Sequence, residues 1–265
     1  MPVIQGLGWT FDTVASTYEK LRPDYVGELY DTLFAYQPLD ADSYAIEVGI
    51  GGGQATGPVL DTGCRVTAVE PGENFCTLCR EKFAAYPAFS AINGKFEETI
   101  LPADTFDLVY SASAFHWVPE DVGYRKVFDI LKSGGAFARF SNHPYPDKGR
   151  AALAEEIDTL YEQYYNPFHH RSINKPAEYS EEAALSRAEI AANYGFADIR
   201  WALFHRTRTF TAAEYIQLLG TYSDHIAIDE PIRKRFFTAI EEAINRHGGL
   251  FTIYDTIDLQ LARKP

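Results

Sequence analysis

At 265 residues and 46% hydrophobic content, the chain can form one large domain, or one domain with a substantial insertion, around a sizeable core. A formal net charge of −13 at pH 7 argues against a general nucleic-acid binder, which needs clustered Lys and Arg, but leaves room for a small basic pocket. No apolar run approaches membrane-span length, the first six residues lack signal-peptide regions, and three cysteines make no disulfide framework. A cytoplasmic protein with no membrane or nucleic-acid partner is therefore expected.

In chain order, residues Tyr18 to Ala35 carry apolar residues at helical spacing broken by Pro23, which predicts a helical preface. Strands are expected at 44–49 and 65–70, with a helix from Gln54 between them and another from Glu73 towards Tyr86. A short strand near 88–92 comes next, then Phe106-Asp107-Leu108-Val109-Tyr110-Ser111, then Ala136-Phe137-Ala138-Arg139-Phe140, introduced by Ser133-Gly134-Gly135. Strands alternating with helices of this size imply an α/β fold on a parallel, doubly wound sheet. The carboxyl ends of its strands share one edge, where ligands bind.

Beyond Ser141 the rhythm changes. Residues 142–195 are rich in Tyr, His and Glu and read as mostly helical, a strand is expected at 199–206, and a helical stretch runs from Thr211 to His247. From Phe251 to Leu261 every second residue is apolar except Asp255, the pattern of an antiparallel strand with one better-solvated face.

The run Tyr44-Ala45-Ile46-Glu47-Val48-Gly49-Ile50-Gly51-Gly52-Gly53-Gln54-Ala55-Thr56 carries the most information. It reads as a strand, a glycine-rich turn and a helix, and the next strand ends on Glu70-Pro71-Gly72. Glycine lets the backbone approach a ligand and adopt positive φ. An acid about twenty residues later, at a strand's carboxyl end, suits a ribose diol. Together they point to an adenosine-containing cofactor; the plain alternatives are a tight turn without a ligand and a solvated strand-end carboxylate. The dinucleotide fingerprint wants glycine at the first, third and sixth places, and counted from Gly49 the sixth is Gln54. The match is instead Glu47-x-Gly49-x-Gly51-x-Gly53, and five strands in one sheet leave little room for a dehydrogenase's substrate domain.

With Val66-Thr67-Ala68-Val69-Glu70-Pro71, Phe106 to Ser111, Ala114-Phe115-His116-Trp117-Val118 and Leu131-Lys132-Ser133-Gly134-Gly135-Ala136-Phe137, this loop resembles the class I S-adenosylmethionine-dependent methyltransferases. The likeness is to their type 11 branch and its trans-aconitate-methyltransferase-like subgroup, over nearly the whole length. The resemblance implies a Rossmann-like doubly wound sheet, mostly parallel with an antiparallel C-terminal strand, plus a helical cap. It implies S-adenosyl-L-methionine as cofactor, S-adenosyl-L-homocysteine as product and a small-molecule acceptor. One domain, 1–265, would comprise a helical N-terminal lid at 1–43, a cofactor-binding half at 44–141, and cap segments at 142–195 and 211–247.

Carried over by motif, Glu47, Gly49, Gly51 and Gly53 would approach the methionine part of the cofactor, and Glu70, followed by Pro71, would hold the ribose hydroxyls. Tyr18 and Arg22 of Phe11-Asp12-x-x-Ala15-x-x-Tyr18-x-x-x-Arg22-Pro23 would lie near its carboxylate. Ser111 and Trp117 would border the pocket. One departure is Gly94-Lys95-Phe96-Glu97, where the family usually has Asp or Asn in place of Lys95. An ammonium is donor-only, so adenine recognition would fall to the Phe96 backbone and packing.

Methyl transfer needs a general base only when the acceptor is protonated. His116 is the first candidate, although His116 and Trp117 more simply wall the pocket. His143, after the fifth strand, is a second candidate for the acceptor side. Tyr222 and His225, in Gly220-Thr221-Tyr222-Ser223-Asp224-His225, are candidate acceptor contacts, the alternative being a helix-end capping cluster. Arg22, Arg171 and Arg206 are unplaced candidate partners for a polycarboxylate. Adjacent histidines 169 and 170 do not share a helix face, so no metal site is expected there. Cys76 and Cys79 read as small apolar residues one turn apart on a core face. Rival functions are an NAD-type oxidoreductase and a noncatalytic cofactor-binding protein of the same fold.

Overall fold

The computed structural model describes residues 19–146, 148–170 and 178–265. Seven strands form one sheet: β1 (Tyr44–Val48), β2 (Arg65–Glu70), β3 (Phe89–Asn93), β4 (Phe106–Ala112), β5 (Leu131–Pro146), β6 (Ala197–Thr211) and β7 (Leu250–Arg263). Their spatial order is β3-β2-β1-β4-β5-β7-β6. The first five pair in parallel, and β7 joins β5 and β6 antiparallel. From β1 the chain winds one way to β3 and then the other way through β4, so the switch point lies at the carboxyl ends of β1 and β4.

Alternating residues send the sheet's two faces into two cores. Ala45, Val66, Ala68 and Leu108 pack with α1 (Gly27–Tyr36), α2 (Thr56–Leu60) and α3 (Glu73–Lys82). Ile46, Val48, Val109 and Phe137 pack with Tyr124, Val127 and Ile130 of α4 (Glu120–Ile130). Cys76 and Cys79 are fully buried on α3, as the core-face reading has it. No helix among the described residues is long and apolar enough to cross a membrane.

The three last strands outrun the apolar runs that predict them. β5 continues past Phe140 through Asn142, His143, Pro144 and Tyr145, and its partner β7 continues with it, Pro146 lying opposite Ile253. Backbone pairing rather than hydrophobic alternation carries this extension, which is why strands expected at 136–140 and 199–206 stop short. Pro144 and Pro146 are tolerated because β5 there keeps only one neighbour, β4 having ended opposite Phe140.

A third core sits on this extension, from Leu153 and Ile157 of α5 (Ala151–Leu160), Leu218 of α8 (Ala212–Leu219), Phe236 and Ile240 of α9 (Glu230–Arg246), and Phe251 and Ile253 of β7. Between α5 and α6 (Asn166–His169) the helix widens to a π-turn over Tyr161–Tyr165. The segment 142–195 expected as one cap is divided: its first helices join this third core, whereas Ala191 and Phe196, after α7 (Glu181–Glu189), join the second.

The solvated face expected of β7 is also corrected. Asp255, Thr256 and Asp258 have no exposed surface, and Gln260 only 5%. Asp255 breaks the apolar alternation because two guanidiniums hold it. Arg206 donates to Oδ2 from Nη2 at 3.0 Å, and Arg208 donates from Nε to Oδ2 at 2.6 Å and from Nη2 to Oδ1 at 2.9 Å. Removing one partner of a buried ion pair strands the other, at about 3 kcal/mol or more. Asp255→Ala is thus expected to lower unfolding free energy by about 3 kcal/mol in urea denaturation. A loss under about 1 kcal/mol would mean that the arginines do not depend on it.

Candidate active site

The crevice is built on the glycine turn. Gly49, Gly51 and Gly53 all have positive φ, at 74°, 51° and 74°. At Gly49 the lack of a side chain is doubly required, since an added Cβ would lie 2.4 Å from the Cβ of Ala114. That contact seats the turn against the segment leaving β4.

Glu70 ends β2 beside this turn and is 7% exposed. Gly51 N–H donates to its Oε2 at 3.1 Å, and Gly72 N–H to its Oε1 at 2.9 Å. The backbone carbonyls of Glu70 and Pro71 accept from Asn93 Nδ2 at 3.1 and 2.9 Å. One side chain therefore spans the glycine turn and the turn into α3, while Asn93 pins the backbone beneath it. Cys79 adds a thiol contact of 3.2 Å to the carbonyl of Gly51.

Glu47 behaves differently. It is fully buried in β1, its Oε2 accepting from Thr56 Oγ1 at 2.7 Å and Tyr110 OH at 2.8 Å, while Oε1 has no partner. Burial pushes its carboxyl up to about 8, against the pull of those two hydrogen bonds. Ser111, also buried, donates to the carbonyl of Val48 at 2.8 Å and ties β4 to β1 below the turn.

Two of the expected site residues also make contacts within the fold. The Phe96 ring is 3% exposed in the second core, and its carbonyl accepts from Lys126 Nζ. Lys95 points outward to Glu98 at 2.9 Å. Arg22 reaches the cap: it donates to Thr221 Oγ1 and the Thr221 carbonyl, both at 3.0 Å, and lies 3.9 Å over the Tyr222 ring. Nearby, Gln54 donates to the carbonyl of Glu19 at 3.3 Å, so the preface touches both glycine turn and cap. Tyr18 and Arg171 lie outside the described residues. Arg206 is committed to Asp255.

His116 and Trp117 form a short turn after β4, their rings 5.2 Å apart at the surface. His116 is exposed at its edge, yet burial by the protein behind it is the largest cause that lowers its pKa, to about 4, so the imidazole is neutral at pH 7. His143 Nε2 meets Asp258 Oδ1 at 2.9 Å, and its ring stacks on Tyr179 at 3.8 Å. In the cap, His225 Nδ1 meets Asp224 Oδ1 at 2.9 Å and its Nε2 meets Tyr161 OH at 2.8 Å. Those bonds take up both ring nitrogens of His225. Among the described residues no cluster of His, Cys, Asp and Glu could hold a metal ion.

Residues 46–138, which hold the glycine turn, Glu70 and the His116 turn, match the family model described as a methyltransferase domain. The chain thus carries a methyltransferase domain over residues 46–138. An uncharacterised methyltransferase of Schizosaccharomyces pombe is 22% identical over 239 residues, 90% of this chain and 88% of that one. A Mycobacterium tuberculosis uncharacterised methyltransferase is 31% identical over 126 residues, 48% of this chain and 49% of its own. In fold, a structure from Anaeromyxobacter dehalogenans described as a type II methyltransferase superposes with TM-score 0.63 at 19% identity, covering 91% of this chain and 97% of that one. A Haemonchus contortus phosphoethanolamine N-methyltransferase in complex with S-adenosyl-L-methionine superposes with TM-score 0.56 at 14% identity, over 96% of this chain and 57% of that one.

In this methyltransferase, the sequence left unmarked Tyr110 and Thr56, which hold Glu47, and Asn93, which holds the Glu70 turn. It also left unmarked Arg139, although a lone arginine in the apolar run Ala136 to Phe140 was a readable signal.

The raised Glu47 carboxyl has a signed consequence. The folded chain holds a proton on Glu47 that the unfolded chain releases above its ordinary value of 4.5, so this contribution to stability falls as pH rises towards about 8. Relative to Glu47→Gln, which cannot ionise, wild type is expected to lose about 3 °C or more of Tm between about pH 5 and pH 9. Parallel Tm curves in thermal denaturation would contradict a protonated Glu47.

Proposed function

We propose that this methyltransferase binds S-adenosyl-L-methionine at the glycine turn and transfers its activated methyl group, by in-line displacement at the sulfonium, to a small-molecule acceptor, with S-adenosyl-L-homocysteine as product. The observation that carries this reading is Glu70, held by the N–H groups of Gly51 and Gly72 at the carboxyl end of β2. A carboxylate at the carboxyl end of β2, beside the glycine turn, is chemically suited to accept hydrogen bonds from a ribose diol. Its charge would also repel a 2′-phosphate.

The glycine turn fits the same ligand. Positive φ at Gly49, Gly51 and Gly53 keeps side chains out of the approach, and the backbone comes within contact range of a bound group. Glu47 would act from beneath, fixing the turn through Thr56 and Tyr110. Pro71 is exposed beside Glu70 on the proposed adenosine side. His116 and Trp117 would wall the crevice, and a neutral His116 could also take a proton from an acceptor that carries one. The Phe96 backbone, rather than its buried ring, would be what the adenine meets.

His143 faces the acceptor side in this reading, and Tyr222, stacked under Arg22, would border it from the cap. His225 would serve by positioning Tyr161, since its own nitrogens are engaged within the cap. Positioning and exclusion of water supply most of the acceleration such a displacement needs.

Glu70→Ala is expected to weaken S-adenosylhomocysteine binding at least tenfold, or about 1.4 kcal/mol, while leaving the fold intact by circular dichroism. Calorimetric titration beside NAD and NADP checks it. Unchanged affinity would remove Glu70 from the site, and binding of NAD alone would restore the oxidoreductase.

A further inference from the structure

We propose that the acceptor of this methyltransferase carries an oxyanion, a carboxylate or a phosphate group, bound by the guanidinium groups of Arg139 and Arg187. The inference rests on the methyltransferase reading above and deepens it by naming the acceptor's charge.

Arg139 lies in β5 opposite Ser111, at the carboxyl edge of the parallel sheet and on the side facing α4. It is only 8% exposed. Its Nη1 donates to Tyr124 OH at 2.6 Å, and its guanidinium carbon lies 5.3 and 5.4 Å from the ring centres of Tyr124 and Phe115. Its Nε has no hydrogen-bond partner, and no acidic side chain among the described residues forms an ion pair with it. A guanidinium has five donors and stays charged at any ordinary pH. One phenol and two aromatic faces do not balance that charge.

One step further along the same face of β5 stands Ser141, whose Oγ accepts from Arg187 Nη2 at 3.4 Å. Arg187 reaches it from α7 and places Nη1 3.6 Å from Asp258 Oδ2. Asp258 has no exposed surface and is already shared, by His143 Nε2 at 2.9 Å and by Gln260 Nε2. The other nearby acid, Glu120, is exposed and accepts from Tyr194 OH at 3.2 Å. Among the described residues two guanidiniums thus face one carboxylate, which leaves the cluster with an excess of positive charge where a buried charge is expensive unless paired.

That excess charge lies in the acceptor's part of the crevice. Arg139 lies over the ring of Phe115, and Phe115, His116 and Trp117 form the turn that borders the opening past β4. An oxyanion completes the cluster: the planar fork of arginine matches carboxylate and phosphate geometry, and both partners gain charge-assisted bonds. A cationic amine would instead meet like charge. This places the selectivity on residues other than Arg22 and Arg206, which the fold uses to hold Thr221 and Asp255.

The test uses the full chain saturated with S-adenosylhomocysteine. Tm is measured as succinate, inorganic phosphate or the matched cation N-methylethylamine is added, with sodium chloride holding ionic strength constant. At least one of the two anions is expected to raise Tm beyond chloride while the amine does not; succinate alone marks a carboxylate and phosphate alone a phosphoryl group. Arg187→Gln, at a partly exposed side chain, is expected to weaken the effective anion at least tenfold without altering S-adenosylhomocysteine affinity, and Arg139→Lys to retain part of the effect. Stabilisation by neither anion, or by an anion equally in wild type and Arg187→Gln, would overturn the proposal. Loss of S-adenosylhomocysteine binding in wild type would instead overturn the cofactor assignment, which keeps the two failures apart.

Discussion

The bridge made by the Glu70 side chain, from the N–H of Gly51 to the N–H of Gly72, is the contact on which the site's geometry depends. Each N–H belongs to a turn at a strand end that regular sheet pairing cannot reach. Without a shared acceptor both would face the crevice unpaired, and the two turns would be free to move independently. With it, the glycine turn after β1 and the turn into α3 become one rigid lip. The close approach of Gly49 to Ala114 then fixes that lip against the exit from β4, so three strand ends are registered around one opening.

Two carboxylates stand within this lip, and their environments divide the work. Glu70 has backbone donors on both oxygens and a little surface. Glu47 has both of its donors on one oxygen and none on the other, so burial dominates and its proton is retained. A protonated Glu47 can hold Thr56 and Tyr110 without placing a second negative charge beneath the turn. The one negative charge at the lip is then that of Glu70, at the carboxyl end of β2.

Much of this was legible in the sequence, and the limit has a physical cause. Gly49, Gly51, Gly53 and Glu70 announce themselves because their positions are local, each set by the strand it ends or the turn it makes, whereas the surroundings of Glu47 depend on Tyr110 from β4. The five parallel strands were equally readable, because burial on both faces forces apolar runs. What escaped depends on pairing between distant segments. The extension of β5 through His143 to Pro146 needs β7 beside it, and no property of 142–146 alone announces a strand. The burial of Asp255 and Asp258 needs Arg206, Arg208 and Arg187 from other elements, so an alternating pattern was read as a solvated face. The burial of the Phe96 ring has the same kind of cause, since Lys126 of α4 lies against it.

The same distinction separates the cofactor half from the acceptor half. A ribose diol and a glycine turn impose nearly the same local geometry wherever they meet, so a short motif suffices to mark them. The acceptor site proposed above is assembled from β5, β7, α4 and α7, elements far apart in sequence that the extended antiparallel strands bring together. Charge balance is then the readable signal. An arginine that a fold needs is given its carboxylate by that fold, as Arg206 and Arg208 are given Asp255. Arg139 is buried as deeply as a core residue and is given none among the described residues, which is the imbalance that the proposed oxyanion would relieve.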